Sequence, residues 1–271
     1  MPQQSPFATP DPWNLVASAY ETEVLPTFRH FAEEALRLAA PPPGARVADI
    51  ACGPGTLALH AAARGFDVDA LDFSPEMIAL LGRTVRDRGL DHVRPRVGDG
   101  HALPYPDGGH DAAFSLFGLM FFPDRARGFS ELRRILRPGA RAVISSWQPM
   151  DRSPALVALL GALQQALPAD SSPPREAPPL VTADACRSEM EQSFRDVQVL
   201  PVSTGIPFPS AVALWTSIER SMPPVVHSRN QLGEEAWAPI SARVREMLPG
   251  TLGTGPVTFD LHAWLSVGSA P

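Results

Sequence analysis

The chain has 271 residues, 44% of them hydrophobic, and a net charge of −6. That length supports one large α/β domain with insertions and a full buried core, and the acidic balance offers no basic face for nucleic acid. All 23 Lys-plus-Arg positions are Arg, which excludes Schiff bases, P-loops and Tyr-Lys dehydrogenase pairs alike. Cys52 and Cys186, the two cysteines, make neither a disulfide framework nor a metal site. No apolar run reaches about 18 residues and no basic-then-apolar leader opens the chain. A soluble, cytoplasmic protein without a membrane span is the expectation.

Residues 1–12 read as a flexible arm. Trp13 to Ala40 carries helical spacing through Leu15, Val16, Tyr20, Phe28, Phe31, Leu36 and Leu38, and Pro26 predicts a division into two helices. Arg46-Val-Ala-Asp49-Ile-Ala-Cys-Gly53-Pro-Gly55 then reads as a buried strand and a glycine turn, opening a helix over Thr56–Arg64. Gly53 and Gly55 let the backbone turn sharply and let a ligand come close. The helix amides favour a polar or anionic group there, and Asp49 stands at the strand's C-terminal end, where open α/β sheets bind ligands. Gly53-Pro-Gly55-Thr-Leu-Ala58 satisfies the dinucleotide fingerprint, with Asp72 about 20 residues on. Asp49-x-Ala51-x-Gly53-x-Gly55 equally fits D-x-G-x-G-x-G, with Ala51 in place of the first glycine.

The pattern then alternates. A strand over Phe66–Leu71 ends at Asp72. Ser74 and Pro75 open a helix that runs to Arg88 and stops at Gly89. A third strand, Val93–Val97, ends at Gly98-Asp99, and a fourth covers His110–Leu119. A helix over Asp124–Leu136 is closed by Arg137-Pro-Gly139, and Arg141–Trp147 is the fifth strand. Such alternation predicts a doubly wound, mostly parallel sheet with all strand C-termini on one edge. Asp49, Asp72 and Asp99 then line that edge side by side. Beyond Met150, helices are predicted over Ala155–Leu167, Thr182–Phe194, Ser210–Ser221 and Glu234–Leu248, with a Pro-rich connector over Ser171–Pro179.

Five stretches in order and correct spacing carry a resemblance. They are Val47-Ala-Asp-Ile-Ala-Cys-Gly-Pro-Gly55, Leu71-Asp-Phe-Ser-Pro-Glu-Met77, Val97-Gly-Asp-Gly-His-Ala-Leu-Pro104, Asp111-Ala-Ala-Phe-Ser-Leu-Phe-Gly-Leu119 and Leu132-Arg-Arg-Ile-Leu-Arg-Pro-Gly139. The chain resembles a class I S-adenosylmethionine (SAM)-dependent methyltransferase of the UbiE-like, or type 11, subgroup, with weaker similarity extending to Val267. The resemblance implies a Rossmann-like seven-stranded sheet, mostly parallel with the last strand antiparallel, under a helical lid. It divides the chain into 1–40, an arm and cap helices; 41–150, a SAM-binding core; and 151–271, lid helices plus the last two strands. Those strands fall near Arg195–Ile206 and Val257–Val267, where Phe259, Leu261, Ala263, Leu265 and Val267 alternate.

The resemblance also implies roles. The turn Ala51–Gly55, with Gly53 inside it, would pass under the methionine part of SAM, and Asp49 would help hold its amino end or order water there. Asp72 would accept from both ribose hydroxyls, and Phe73 and Met77 would pack on adenine. Asp99 would accept from the adenine exocyclic amine, with the amides of Gly100 and His101 reaching ring nitrogens; the family often has Ala-Glu at that pair. Ser115 and Leu116 would offer carbonyls to the ammonium, and Tyr20 would close over the carboxylate. The dinucleotide reading leaves Asp99 without a task.

Methyl transfer from a sulfonium is an in-line displacement in which position and water exclusion matter most. A base is needed only where the acceptor must lose a proton; His30, His227 and Tyr20 are the candidates, and His110, at the opposite edge, is excluded. Phe117, Met120, Phe121, Trp147, Phe208 and Trp215 are candidate walls for a hydrophobic acceptor. The expectation is therefore methyl transfer to a small secondary-metabolite, quinone-like or lipid-like molecule, with no metal and with self-association left open. Its rivals are a catalytically silent SAM-binding sensor or partner subunit and an NAD-dependent oxidoreductase.

Overall fold

A computed structural model describes residues 5–168 and 179–271. Strands β1 (Arg46–Ile50), β2 (Asp67–Asp72), β3 (Val93–Val97), β4 (His110–Leu116), β5 (Leu136–Trp147), β6 (Arg195–Phe208) and β7 (Val257–Ser269) form one sheet. Their order is β3-β2-β1-β4-β5-β7-β6. β7 runs antiparallel to both its neighbours and the other pairs are parallel. This is the expected Rossmann-like arrangement, the antiparallel strand included. β1 lies between β2 and β4 and is buried on both faces, so its residues alternate between two cores. Val47 enters one hydrophobic cluster, while Ala48 and Ile50 enter the other.

Helices α3 (Thr56–Ala62), α4 (Pro75–Arg88) and α5 (Arg125–Ile135) are the crossovers. α4 begins as its sequence dictates: the Ser74 side chain accepts from the Met77 amide at 3.2 Å, and Gly89 closes the helix in the left-handed conformation. The opposite edge of the sheet carries its own acid. Asp69 accepts from Arg46 Nε at 2.8 Å and Arg94 Nε at 2.7 Å, and lies 2.9 Å from His110 Nε2. Burial alone would raise its pKa, but the His110, Arg94 and Arg46 contacts outweigh burial and hold the carboxyl well below the usual range.

The N-terminal region differs from expectation. Residues 6–8 form a 3₁₀ turn and α1 (Asp11–Ala19) follows at once, so most of the expected arm is folded; residues 1–4 lie outside the described residues. The segment from Trp13 to Ala40 does divide into two helices as expected. A π turn at Tyr20–Val24, closed by the Leu25 amide on the Tyr20 carbonyl, joins α1 to α2 (Leu25–Ala39), with Pro26 in the first turn of α2 where no amide partner is needed. The β4 strand stops at Leu116, and Leu119–Phe121 is a 3₁₀ turn.

The remaining helices are α6 (Pro154–Ala166), α7 (Ala183–Met190), α8 (Ala211–Ser221), α9 (Pro223–Leu232) and α10 (Glu234–Leu252). α9 was not predicted, and α10 runs through Pro239 and Pro249, past the expected stop. The Pro-rich connector lies outside the described residues except for its last, Pro179. α10 packs on α6 and α8, and α1 packs on α9 and α4. Inside this cap Trp215 and Trp237 stack at 6.2 Å, donating to Ser241 at 3.0 Å and Glu219 at 2.9 Å. Arg245 pairs with Glu219. Among the described residues no helix is long and apolar enough to cross a membrane.

Candidate active site

The C-terminal ends of β1, β2, β3 and β4 open into a cavity of about 400 Å³, within the range of small-molecule sites. Asp49, Asp72 and Asp99 all stand on its wall, with Ala51, Gly53, Phe73, Met77, Gly100, His101, Leu116 and Tyr20. Thus most of the residues singled out for the cofactor meet in one place. Gly55 and Ser115 do not reach the wall. Gly55 adopts φ +94°, and a Cβ there would lie 2.5 Å from Leu81 Cδ1, so it serves the turn itself. The buried Ser115 hydroxyl accepts from the Leu119 amide at 3.1 Å.

The acids are bound to the backbone they stand beside. Asp72 accepts from the Gly53 amide with one oxygen and from the Ser74 amide with the other, both at 2.8 Å. Asp49 accepts from the Ala58 amide at 3.0 Å. Both are buried. Burial pushes Asp49 up to about 7 against the lowering effect of the Ala58 amide, and the charge of Asp72 adds to the rise. Burial likewise pushes Asp72 up to about 6, opposed by the amides of Ser74, Gly53 and Phe73. Asp99 behaves differently. Its side chain is 66% exposed; the slight burial is outweighed by the His101 amide and ring, and its pKa is lowered.

Ala51 sits at φ +57°, the backbone a glycine adopts freely and an alanine only at a cost of about 1 kcal/mol or more. Its methyl shapes the opposite wall: a Cβ on Gly118 would fall 2.3 Å from the Ala51 Cβ. The Ala51-for-Gly departure in the turn thus requires glycine at position 118.

The apolar part of the wall comes from two ring clusters. Phe28 and Phe117 meet at 4.8 Å, backed by Trp147, which stacks on Phe117 at 4.0 Å. Trp13 and Phe121 meet at 5.0 Å, with Phe7 6.1 Å from Phe121. Of the expected acceptor residues, Phe117 and Phe121 line the cavity; Trp147 supports it from behind; Met120, Phe208 and Trp215 pack in the interior instead. The sequence pattern had not marked Phe7, Trp13, Val24, Phe28 or Phe122, all on the wall. Trp13 lies seven residues before Tyr20, one helical face away, and that spacing was the available signal.

The base candidates also separate. His30 is exposed on α2, and His227 contacts Phe7 at 6.1 Å without reaching the wall. Tyr20 is on the wall, but burial and the nearby Asp72 charge raise its pKa, so it keeps its proton. His110 lies at the far edge beside Asp69, as expected.

This geometry distinguishes the two nucleotide readings. A pyrophosphate needs the turn amides, yet those of Gly53 and Ala58 already serve Asp72 and Asp49. The wall carries three carboxylates and no arginine, which suits a cation and opposes a dianion. Residues 47–139 match the methyltransferase-domain family. Over those residues the core is similar to class I SAM-dependent methyltransferase domains of the UbiE-like kind.

A demethylmenaquinone methyltransferase of Thermus thermophilus is 42% identical to the chain over 106 residues, 38% of this chain and 48% of that protein. An uncharacterized protein of Mycobacterium tuberculosis is 35% identical over 105 residues, 39% of this chain and 38% of that one. The matched methyltransferase segment thus spans less than half the length of these relatives. Among solved structures, the YcgJ protein of Bacillus subtilis superposes with a TM-score of 0.57 at 20% identity, covering 89% of this chain and 97% of that chain. The 4+2 cyclase SpnF superposes with a TM-score of 0.56 at 18% identity, covering 89% and 81%. These two likenesses concern the fold alone.

Proposed function

We propose that the protein transfers the methyl group of SAM to a small hydrophobic acceptor. The observation that carries this reading is the acid-lined, arginine-free cavity at the strand ends, fitted to a cofactor bearing a sulfonium and an ammonium. Bound SAM supplies an already activated methyl group. Asp72 would accept from the ribose hydroxyls through the lone pairs its two amides leave open. Asp49 would face the ammonium, with the Leu116 carbonyl beside it. Phe73 and Met77 would flank the adenine, and the turn Ala51–Gly55 would run beneath the methionine part. Phe28, Phe117, Trp13 and Phe121 would keep water from the sulfur and hold the acceptor by shape. With His30 and His227 off the wall and Tyr20 protonated, positioning rather than proton removal by these groups carries the transfer.

The Thermus relative's name favours a quinone-like acceptor over the lipid-like and secondary-metabolite classes. Calorimetry with SAM and with NAD is the first test; tighter binding of NAD would sink the proposal. The second is release of S-adenosylhomocysteine on incubation with SAM and reduced naphthoquinones lacking a ring methyl, read by chromatography. SAM binding without release from any acceptor in a broad panel would instead support the silent sensor.

A further inference from the structure

We infer that the acceptor is uncharged over its whole body, and that the site refuses an acceptor bearing a carboxylate. The inference rests on the methyl-transfer reading above. It starts from what the wall retains once the groups expected to hold the cofactor are set aside. The carboxylates of the wall, Asp49, Asp72 and Asp99, all belong to that set. No lysine occurs in the chain, and no arginine reaches the wall. The side chains that remain are apolar except for the indole of Trp13, the thiol of Cys52 and the hydroxyl of Thr56. Two of these three are already engaged. Trp13 Nε1 donates to the Phe7 carbonyl at 3.0 Å, and the Cys52 thiol donates to the Gly53 carbonyl at 3.4 Å. Burial, and after it the charges of Asp49 and Asp72, push the Cys52 thiol up, so it stays neutral. One side-chain hydroxyl is left for a polar group of the acceptor.

Arginines of the cap pair with acids of their own. Arg220 meets Glu23, the neighbour of the wall residue Val24, at 2.6 Å, and Arg245 pairs with Glu219. A carboxylate carried into this part of the cavity would be buried among rings with no cation to meet it. That costs far more than burying a neutral amide that keeps one hydrogen bond. The three acids of the wall add repulsion of the same sign. Bound SAM does not remove the penalty. Its ammonium faces Asp49 in the reading above. Its sulfonium stands at the reacting atom, where the charge disperses as the methyl leaves, and it cannot serve a carboxylate elsewhere on the acceptor. An ammonium group on the acceptor fares better than a carboxylate, because ring faces and acids attract it. It still loses its hydration to a wall that offers a single hydroxyl in return. The unassigned side of the cavity is thus selective through what it lacks, and an uncharged body is the one it admits without an unpaired charge.

The experiment uses three naphthols of one skeleton that differ in a single substituent: 6-hydroxy-2-naphthamide, 6-hydroxy-2-naphthoate and 6-(aminomethyl)-2-naphthol. Each is titrated by calorimetry, near neutral pH, into the full chain saturated with S-adenosylhomocysteine. The amide is expected to bind about 10-fold or more tightly than the carboxylate of nearly equal size, with the ammonium compound between them. Val24→Arg places a guanidinium on the apolar side. It should shrink the gap between amide and carboxylate to about 3-fold or less, through tighter carboxylate binding. Should that variant not fold, the comparison in the wild type decides alone. A carboxylate that binds the wild type as tightly as the amide overturns the inference. So does an ammonium compound that binds as tightly as the amide or more so, or an unchanged gap in folded Val24→Arg. Binding of S-adenosylhomocysteine but of none of the three naphthols also overturns it and leaves the cofactor reading standing. No binding of S-adenosylhomocysteine by the wild type overturns the cofactor reading and this inference with it.

Discussion

The two halves of the molecule use aromatic and acidic side chains in opposite ways. In the core, between β1 and β5, acids cluster at strand ends on a cavity wall and remain short of positive partners. In the cap, Glu219 is enclosed between Trp237 and Arg245, and the rings of Trp215 and Trp237 are buried without touching the cavity. The lesson is that the same residue types serve binding in one half and packing in the other, and that only their partners tell them apart.

Substitutions should separate the halves cleanly. The largest effect is expected from Trp215→Ala, a loss of about 3–5 kcal/mol of stability in denaturant unfolding, with cofactor affinity unchanged in whatever fraction stays folded. A parallel fall in affinity would erase the distinction. Asp72→Ala is the converse. Removing a charged acceptor should weaken SAM binding by about 1–3 kcal/mol, measured by calorimetry; an unchanged affinity would mean the ribose is elsewhere. Gly118→Ala should destabilise the protein by about 1–3 kcal/mol through overpacking against Ala51. Because the clash is with the Ala51 methyl, Ala51→Gly should return most of that loss in the double variant, with Ser115 Oγ at 3.2 Å as the closest remaining contact. A double variant no more stable than Gly118→Ala would put the strain in some other contact.

The smallest expected effect is a pH dependence. Asp49 and Asp72 have folded pKa values of about 7 and about 6, above their ordinary 3.8, so the ligand-free fold binds more protons than the unfolded chain between those limits. Its stability from these groups is greatest at the acid end and declines as pH rises from about 4 towards 7. A bound cation favours the ionised acids, so SAM should release protons on binding near pH 6.5, and its stabilisation should grow from pH 6 to 8. Calorimetry in buffers of different ionisation enthalpy reads the proton count, and Asp49→Asn should reduce it. No proton release in the wild type would mean both acids are already ionised.

Much of the core was legible because its rules are local. Ser74 before Pro75 marks a helix start, and a short apolar strand ending in Asp marks a strand end; both were found where expected. The cap was less legible because proline there breaks local rules at sites that tolerate it. Pro223 starts α9 at a position that needs no amide. Pro201 and Pro207 sit in β6, which has a partner on one side alone. The roof of the cavity was the hardest to foresee. Phe7 and Trp13 reach the roof by touching Phe121, more than a hundred residues away; the spacing from Trp13 to Tyr20 hints at one of them, and nothing local announces Phe7. Just past β3, Asp99 stands at the strand end as expected, but a carboxylate's preference for the adjacent histidine ring is a matter of geometry that spacing does not express.

The π turn at Tyr20–Val24 has a consequence for the roof. It inserts one surplus residue between α1 and α2, and so sets the rotational phase of one helix against the other. Tyr20, Val24 and Phe28 follow each other at intervals of four on the side facing the cavity, while Trp13 is brought round to the same side from the other helix. A chain shorter by one residue here would straighten into a plain α-helix and swing Trp13 and Asn14 by roughly a quarter-turn. The carboxylates below would be untouched, yet the indole would face away and the Ser74–Asn14 hydrogen bond of 2.6 Å would part. Length, more than composition, is what this joint must conserve.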